Sequence, residues 1–108
     1  EDAILHAERA SRLAPTDSKV QSTLGYVYYK SGDPGMGLKM LRESKERDLA
    51  PLAYFYEGKI YLDDDKTIKA CESFKESLQR ALKGADKDPE TARKARSMLT
   101  TIGCSSFN

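Results

Sequence analysis

Apolar residues recur at spacings of three and four along successive stretches of the chain, the mark of helices with one buried side. Ala3, Ala7 and Ala10, with Ile4 and Leu13, share one side of a first helix over residues 2 to 13. Pro15 ends it, because the residue before a proline avoids helical dihedrals. A second helix runs from Ser18 to Lys30 with Val20, Leu24, Val27 and Tyr28 as its stripe. Asp17 or Ser18 caps it, the latter with Gln21 as a capping box. Gly32 supplies a left-handed stop, Asp33 a cap and Pro34 the first position of a third helix. This helix reaches about Asp48, anchored by Leu38 and Leu41, with Gly37 and Ser44 on a small-residue side. Gly35 and Gly37 predict a frayed first turn. Pro51 opens a fourth helix, ending near Leu62, that turns Tyr54, Gly58, Ile60 and Tyr61 inward. A fifth, from about Lys66 to Lys83, carries Ala70, Phe74, Leu78, Ala81 and Leu82. After a polar link from Gly84, Asp88 and Pro89 start a sixth, which buries Ala92, Ala95, Leu99 and Ile102 and stops at Gly103; Cys104 to Asn108 form a tail.

A period underlies these helices. A shift of 33 residues carries Gly25 onto Gly58, Tyr28 onto Tyr61, Gly37 onto Ala70, Leu41 onto Phe74 and Ser44 onto Ser77. Gly25 lies inside a helix, where it costs about 1 kcal/mol relative to Ala, so a neighbouring helix is expected to pass too close for a side chain. A repeat of this length indicates stacked helical hairpins. One position breaks the register: Glu57 stands where Leu24 stood. Either that face is partly wet or the carboxylate meets a cation or hydroxyl.

At 108 residues the chain forms one domain, and its net charge of +1 neither calls for nucleic acid nor excludes it. Residues 1 to 65 hold 9 Lys/Arg against 12 Asp/Glu, and residues 66 to 108 hold 9 against 5. No apolar run spans a membrane and no signal peptide is visible. The opening on Glu1 is the expectation for a piece of a longer protein. Cys71 and Cys104 lack metal-site spacing, and free thiols are expected, a lean towards a reducing cytoplasm. Asp63, Asp64 and Asp65 lack the spread of ligands a calcium loop needs and suit the positive end of the next helix. Enzyme signatures are missing: His6 has no partner His or Cys nearby, and the glycines from Gly32 to Gly37 lack the ending of a phosphate loop. Arg80, Lys83, Lys87, Arg93, Lys94 and Arg96 leave nucleic-acid binding as a minor alternative, marked by steep salt dependence.

These residues resemble the tetratricopeptide repeat family. One copy reads Leu24-Gly25, Tyr28, Gly37, Leu41, Ser44; the next reads Tyr54, Gly58, Tyr61, Ala70, Phe74, Ser77; Ala3, Ala7, Ala10 and Pro15 match a trailing half-repeat. Gln21 and Glu57 depart from the pattern, as do serines at the second Ala position. The resemblance implies an all-α, right-handed superhelix of antiparallel hairpins: a half-repeat at 1–15, repeats at 18–50 and 51–83, a capping helix at 89–102 and a tail at 103–108. It also implies a concave groove lined by the first helix of each hairpin. Off the core stripe, Lys19, Ser22, Thr23, Tyr26, Tyr29 and Lys30 would face that groove, as would Leu52, Phe55, Tyr56, Lys59 and Leu62. Large rings with polar tips are common interface anchors, and Lys30 and Lys59 would meet carboxylates of a bound peptide or helix. The function implied is a non-catalytic protein-interaction scaffold needing no cofactor or metal. The lysine and asparagine clamp of chaperone-binding members is not matched, since Asn108 is the only asparagine. Self-association through the uncovered side of the first helix, around Ile4 and Leu5, is the alternative. Such modules also serve in the bacterial cell envelope, so the compartment stays open.

Overall fold

The computed structural model describes residues 2–83 and 87–104. Six helices follow one another: α1 (Asp2–Leu13), α2 (Ser18–Lys30), α3 (Pro34–Arg47), α4 (Pro51–Asp63), α5 (Thr67–Ala81) and α6 (Pro89–Thr101). The described residues contain no strand. The centre of the polar link, 84–86, and the tail from 105 to 108 lie outside the described residues.

The helices start where the sequence carries capping chemistry. Asp17 accepts from the N–H groups of Lys19 and Val20, Asp33 from Met36 and Asp88 from Thr91. Pro34, Pro51 and Pro89 take first-turn positions, where a missing N–H costs nothing. The capping box expected at Ser18 and Gln21 does not form. Ser18 donates to Asp48 instead, and the Gln21 amide reaches Ser11 and the Ala14 carbonyl, so both side chains tie α2 to its neighbours. The first turn of α3 is regular helix rather than frayed, held by the Asp33 cap and by burial of Gly37 against α2.

α2, α4 and α6 stop in the same way. Gly32, Asp65 and Gly103 have φ of 102°, 59° and 74°. The next N–H in each case, from Asp33, Lys66 and Cys104, returns to the carbonyl of Tyr28, Tyr61 and Leu99 at 2.9 Å. This is the six-to-one bond of a Schellman stop. Asp65 stands one period after Gly32, and Asp is among the few side chains that tolerate the left-handed region. The three acids therefore close α4, with Asp63 its last residue, instead of opening α5, whose cap position is Lys66.

Chain neighbours pack antiparallel. The Ser18–Asp48 bond joins the start of α2 to the end of α3, and Ser77 Oγ donates to the Pro51 carbonyl at 2.8 Å to join α5 to the start of α4. In the first hairpin the two backbones almost touch: a Cβ on Gly25 would lie 2.9 Å from the Gly37 carbonyl oxygen, and one on Gly37 would lie 2.5 Å from that of Gly25. In the second hairpin Ala70 takes the place of Gly37, and the Phe74 ring lies over Gly58, where a Cβ would come within 2.7 Å of it.

The interior divides into two clusters, Leu41, Ala50, Ala53 and Ile60 in one, and Phe55, Phe74, Leu78 and Leu99 with five smaller residues in the other. Leu38 and Leu82, expected as anchors, are exposed. Glu57 finds both kinds of partner at once, Lys45 at 2.7 Å and the Ser73 hydroxyl at 3.2 Å, which answers the break in register. α1 buries no residue fully and leaves Leu13 83 % exposed. It is held instead by polar bonds, Tyr28 to Glu8 at 2.6 Å and Gln21 to Ser11 at 2.9 Å.

Cys71 and Cys104 are bonded to each other, their Cα atoms 5.8 Å apart, which corrects the expectation of free thiols. Gly103 turns the chain back at the end of α6, and antiparallel packing sets that end beside the first turns of α5. The lean towards a reducing compartment rested on free thiols and falls with them.

Three outcomes check this packing. Gly37→Ala gains helix propensity yet should lose about 1–3 kcal/mol in urea unfolding, because its new methyl meets backbone. Gly35→Ala, where nothing lies within 4 Å, should gain about 0.5–1 kcal/mol. Removing the disulfide as Cys71→Ser with Cys104→Ser should cost about 3–4 kcal/mol, the value expected for a loop of this length.

Candidate functional site

α2 and α4 belong to successive hairpins and run side by side in the same direction, with Lys30 Nζ 3.9 Å from the Asp63 carboxylate near their C-terminal ends. Lys30 and Asp63 are one period apart, whereas the tyrosines meet about one turn out of that register, since the counterpart of Tyr26 is Lys59 and Tyr56 precedes it by three residues. Tyr26 and Tyr56 stack with ring centres 4.5 Å apart and planes 11° from parallel. Tyr29 continues the column one turn along α2, 6.1 Å from Tyr26 and 19° from parallel. All three rings are half-buried. Tyr26, in the middle, has a ring neighbour on either helix.

Lys59 stays with the same column. Its ammonium stands 5.6 Å from the centre of Tyr26 and 5.9 Å from that of Phe55, within the range of a cation–π contact. Burial, and then the Asp63 charge, push the Tyr26 and Tyr29 phenols above their ordinary values; Asp64 adds to the effect on Tyr29. Acid is therefore concentrated at one end of the column.

Among the residues expected in the groove, Tyr26, Tyr29, Lys30, Tyr56 and Lys59 come together here. Ser22 and Phe55 are placed elsewhere. Ser22 is 0 % exposed and its hydroxyl has no partner among the described residues; Phe55 is 7 % exposed and packs on Phe74 with ring centres 5.5 Å apart. They occupy equivalent positions one period apart. A helix inside a stack is covered by its own hairpin partner and by the adjacent hairpin, so a single buried stripe underestimates what is inside. Lys19 is exposed along its stem but turns its ammonium 3.4 Å from Asp88, away from the tyrosines.

Two features were not anticipated. Ala7 and Ala10 of α1, Val20 and Thr23 of α2, Leu52 of α4 and the Lys19 stem line a largely apolar notch of about 300 Å³. A larger cleft of about 540 Å³ opens where the starts of α2, α4 and α6 gather, among Asp17, Asp48, Arg80 and Asp88. Its walls come from three separate linkers, and no local motif announces it. Each carboxylate there has internal work: Asp17 caps α2, Asp48 accepts from Ser18 and the Ala50 N–H, and Asp88 holds Thr91 and Lys19. Arg80 stacks on Tyr54, 4.5 Å from the ring centre, and donates to Glu76 and the Leu49 carbonyl. Farther along, Arg93, Lys94 and Arg96 are exposed on α6, with Lys94 3.8 Å from Glu90.

Asp88 is 5 % exposed. Burial raises its pKa, but the hydroxyl and N–H of Thr91 and the Lys19 ammonium outweigh this and hold it below the ordinary carboxylate value. Since the folded value is depressed, the stabilisation is present above about pH 4 and is lost as pH falls through the folded value. Asp88→Asn, which keeps a capping side chain but removes the charge that Thr91 and Lys19 meet, should therefore lower stability at pH 7 by about 1 kcal/mol, the difference between bonds to charged and neutral groups, and should flatten the fall in melting temperature below pH 4. A profile parallel to that of the unmodified chain would contradict this. No family model matches the chain, nor does any curated protein or solved structure.

Proposed function

We propose that this chain is a non-catalytic interaction module of the tetratricopeptide-repeat kind, a right-handed stack whose concave side, floored by α2 and α4, holds a peptide or helix of a partner protein. The observation that carries this is the column of Tyr29, Tyr26 and Tyr56, half-buried on one face and crossing from one hairpin to the next. Rigid aromatic side chains lose little entropy when a partner covers them, which is why they recur as hot spots. The 33-residue register agrees, since it governs the close approaches at Gly25 and Gly58 and the stops at Gly32 and Asp65 alike.

A second reading is favoured by α1. Leu5 is 56 % and Leu13 83 % exposed on a helix with no fully buried residue. Pairing of two copies through α1 would cover them. Sedimentation from micromolar to millimolar protein separates the two: a dimer abolished by Leu5→Ser with Leu13→Ser supports pairing, and a monomer throughout removes it.

For the groove, the direct check is Tyr26→Ala with Tyr56→Ala, titrated against peptides selected by the unmodified chain from a random display library. The double variant should bind at least about tenfold more weakly, the loss expected when an interface anchor is truncated. Its helical circular dichroism should be retained, at a stability cost of about 1–2 kcal/mol for the lost stacking. Unchanged affinity would remove the groove from consideration.

A further inference from the structure

If the α2–α4 groove is the binding face, its chemistry is uneven along its length, and this restricts what it accepts. The apolar notch between Ala7, Ala10, Val20, Thr23 and Leu52 lies near the N-terminal ends of α2 and α4. The column of tyrosines fills the middle. At the far end stand Asp63, Asp64 and Asp65, together with the C-terminal ends of two helices running in the same direction, each carrying roughly half a negative charge.

The groove's lysines do not cancel this. Lys19 is drawn to Asp88 at 3.4 Å, Lys59 sits against the Tyr26 and Phe55 rings, and Lys30 is matched by Asp63 at 3.9 Å. Each is engaged within the fold, and none is left to receive the carboxylates expected from the sequence. Asp63 stands at the Tyr29 end of the column, and after burial its charge, followed by that of Asp64, raises the Tyr29 phenol.

We infer that the occupant is an extended partner segment carrying one aliphatic side chain for the notch and one lysine or arginine for the acidic end, three or four residues apart. The spacing follows from geometry. From Val20 or Thr23 to Tyr29 or Lys30 is six to ten residues of helix, about 9–15 Å at 1.5 Å per residue. An extended chain covers that in three or four residues at about 3.3–3.6 Å each. Between the two anchors the backbone would lie along the tyrosine edges, whose hydroxyls can donate to its carbonyls.

This rests on the groove reading, and one experiment tests the two separately. The oxidised full chain is panned against a phage library of random octapeptides, and selected sequences are remade as fluorescein-labelled peptides for anisotropy titration. Enriched peptides should carry Leu, Ile, Val or Met three or four positions from Lys or Arg, and replacing either residue by Ala in the peptide should weaken binding at least about tenfold, as for loss of an anchor. Asp63→Asn with Asp64→Asn should abolish the preference for a basic residue, and Ala10→Phe, which fills the notch from an exposed position, the preference for an aliphatic one. Enrichment of acidic peptides, random spacing, or peptide alanine variants that bind unchanged would overturn the inference. If that happens while Tyr26→Ala with Tyr56→Ala still abolishes binding, the groove stands and only the partner chemistry is wrong. Binding indifferent to the tyrosines, or no enrichment at all, overturns both.

Discussion

The passage of α2 across α3 at Gly25 and Gly37 is the contact on which the remaining geometry depends. With no side chain on either backbone, the helices approach until a methyl on one would strike the carbonyl oxygen of the other. The Met40 and Leu41 side chains close over the same point, 3.1 and 3.5 Å from where a Cβ on Gly25 would lie, so there is no room there for a larger residue. The second hairpin meets the same need differently, pressing the Phe74 ring onto Gly58 beside a buried Ala70. With both hairpins set to one register, α2 and α4 lie parallel, and Tyr26 stacks on Tyr56, about one helical turn before its counterpart Lys59.

Tight crossings leave polar groups inside that looser packing would hydrate. Ser22 and Ser44 are buried with hydroxyls unpartnered among the described residues, a cost of about 1–3 kcal/mol each by the usual measure. Ser77, one period after Ser44, escapes by donating to the Pro51 carbonyl. Glu57 is tolerated because Lys45 and Ser73 reach it from two different helices. At the other end of the stack α6 fully buries Ala92, Ala95 and Leu99, and Met98 and Ile102 pack partly buried against the same cluster. The link from Cys104 to Cys71 ties the end of this helix to α5.

Much of this was legible in the residues. Proline and aspartate pairs at 33–34 and 88–89 set helix starts, glycines at 32 and 103 set stops, and the 33-residue shift paired the hairpins before any packing was known. Less local information was not legible. The disulfide joins residues 33 apart through the turn after α6, a closeness that only tertiary packing creates. Asp65 in a left-handed conformation is unusual for its side chain and was concealed by its acidic neighbours. The misplacement of Ser22 and Phe55 has one cause, the second buried face that a helix acquires when another hairpin stacks on it. The tyrosines, needing only their spacing on one exposed side, were found. The engagement of Lys19, Lys30 and Lys59 within the fold depends on partners on other helices, so it emerged only with coordinates.

The most direct measurement is a two-dimensional nuclear Overhauser spectrum of the oxidised protein with assigned glycine and tyrosine resonances. Cross-peaks between the Gly25 and Gly37 α-protons, together with peaks between the Tyr26 and Tyr56 rings, are the result this account predicts. Intact helices giving neither set of peaks would contradict the crossing, and with it the side-by-side placement of α2 and α4.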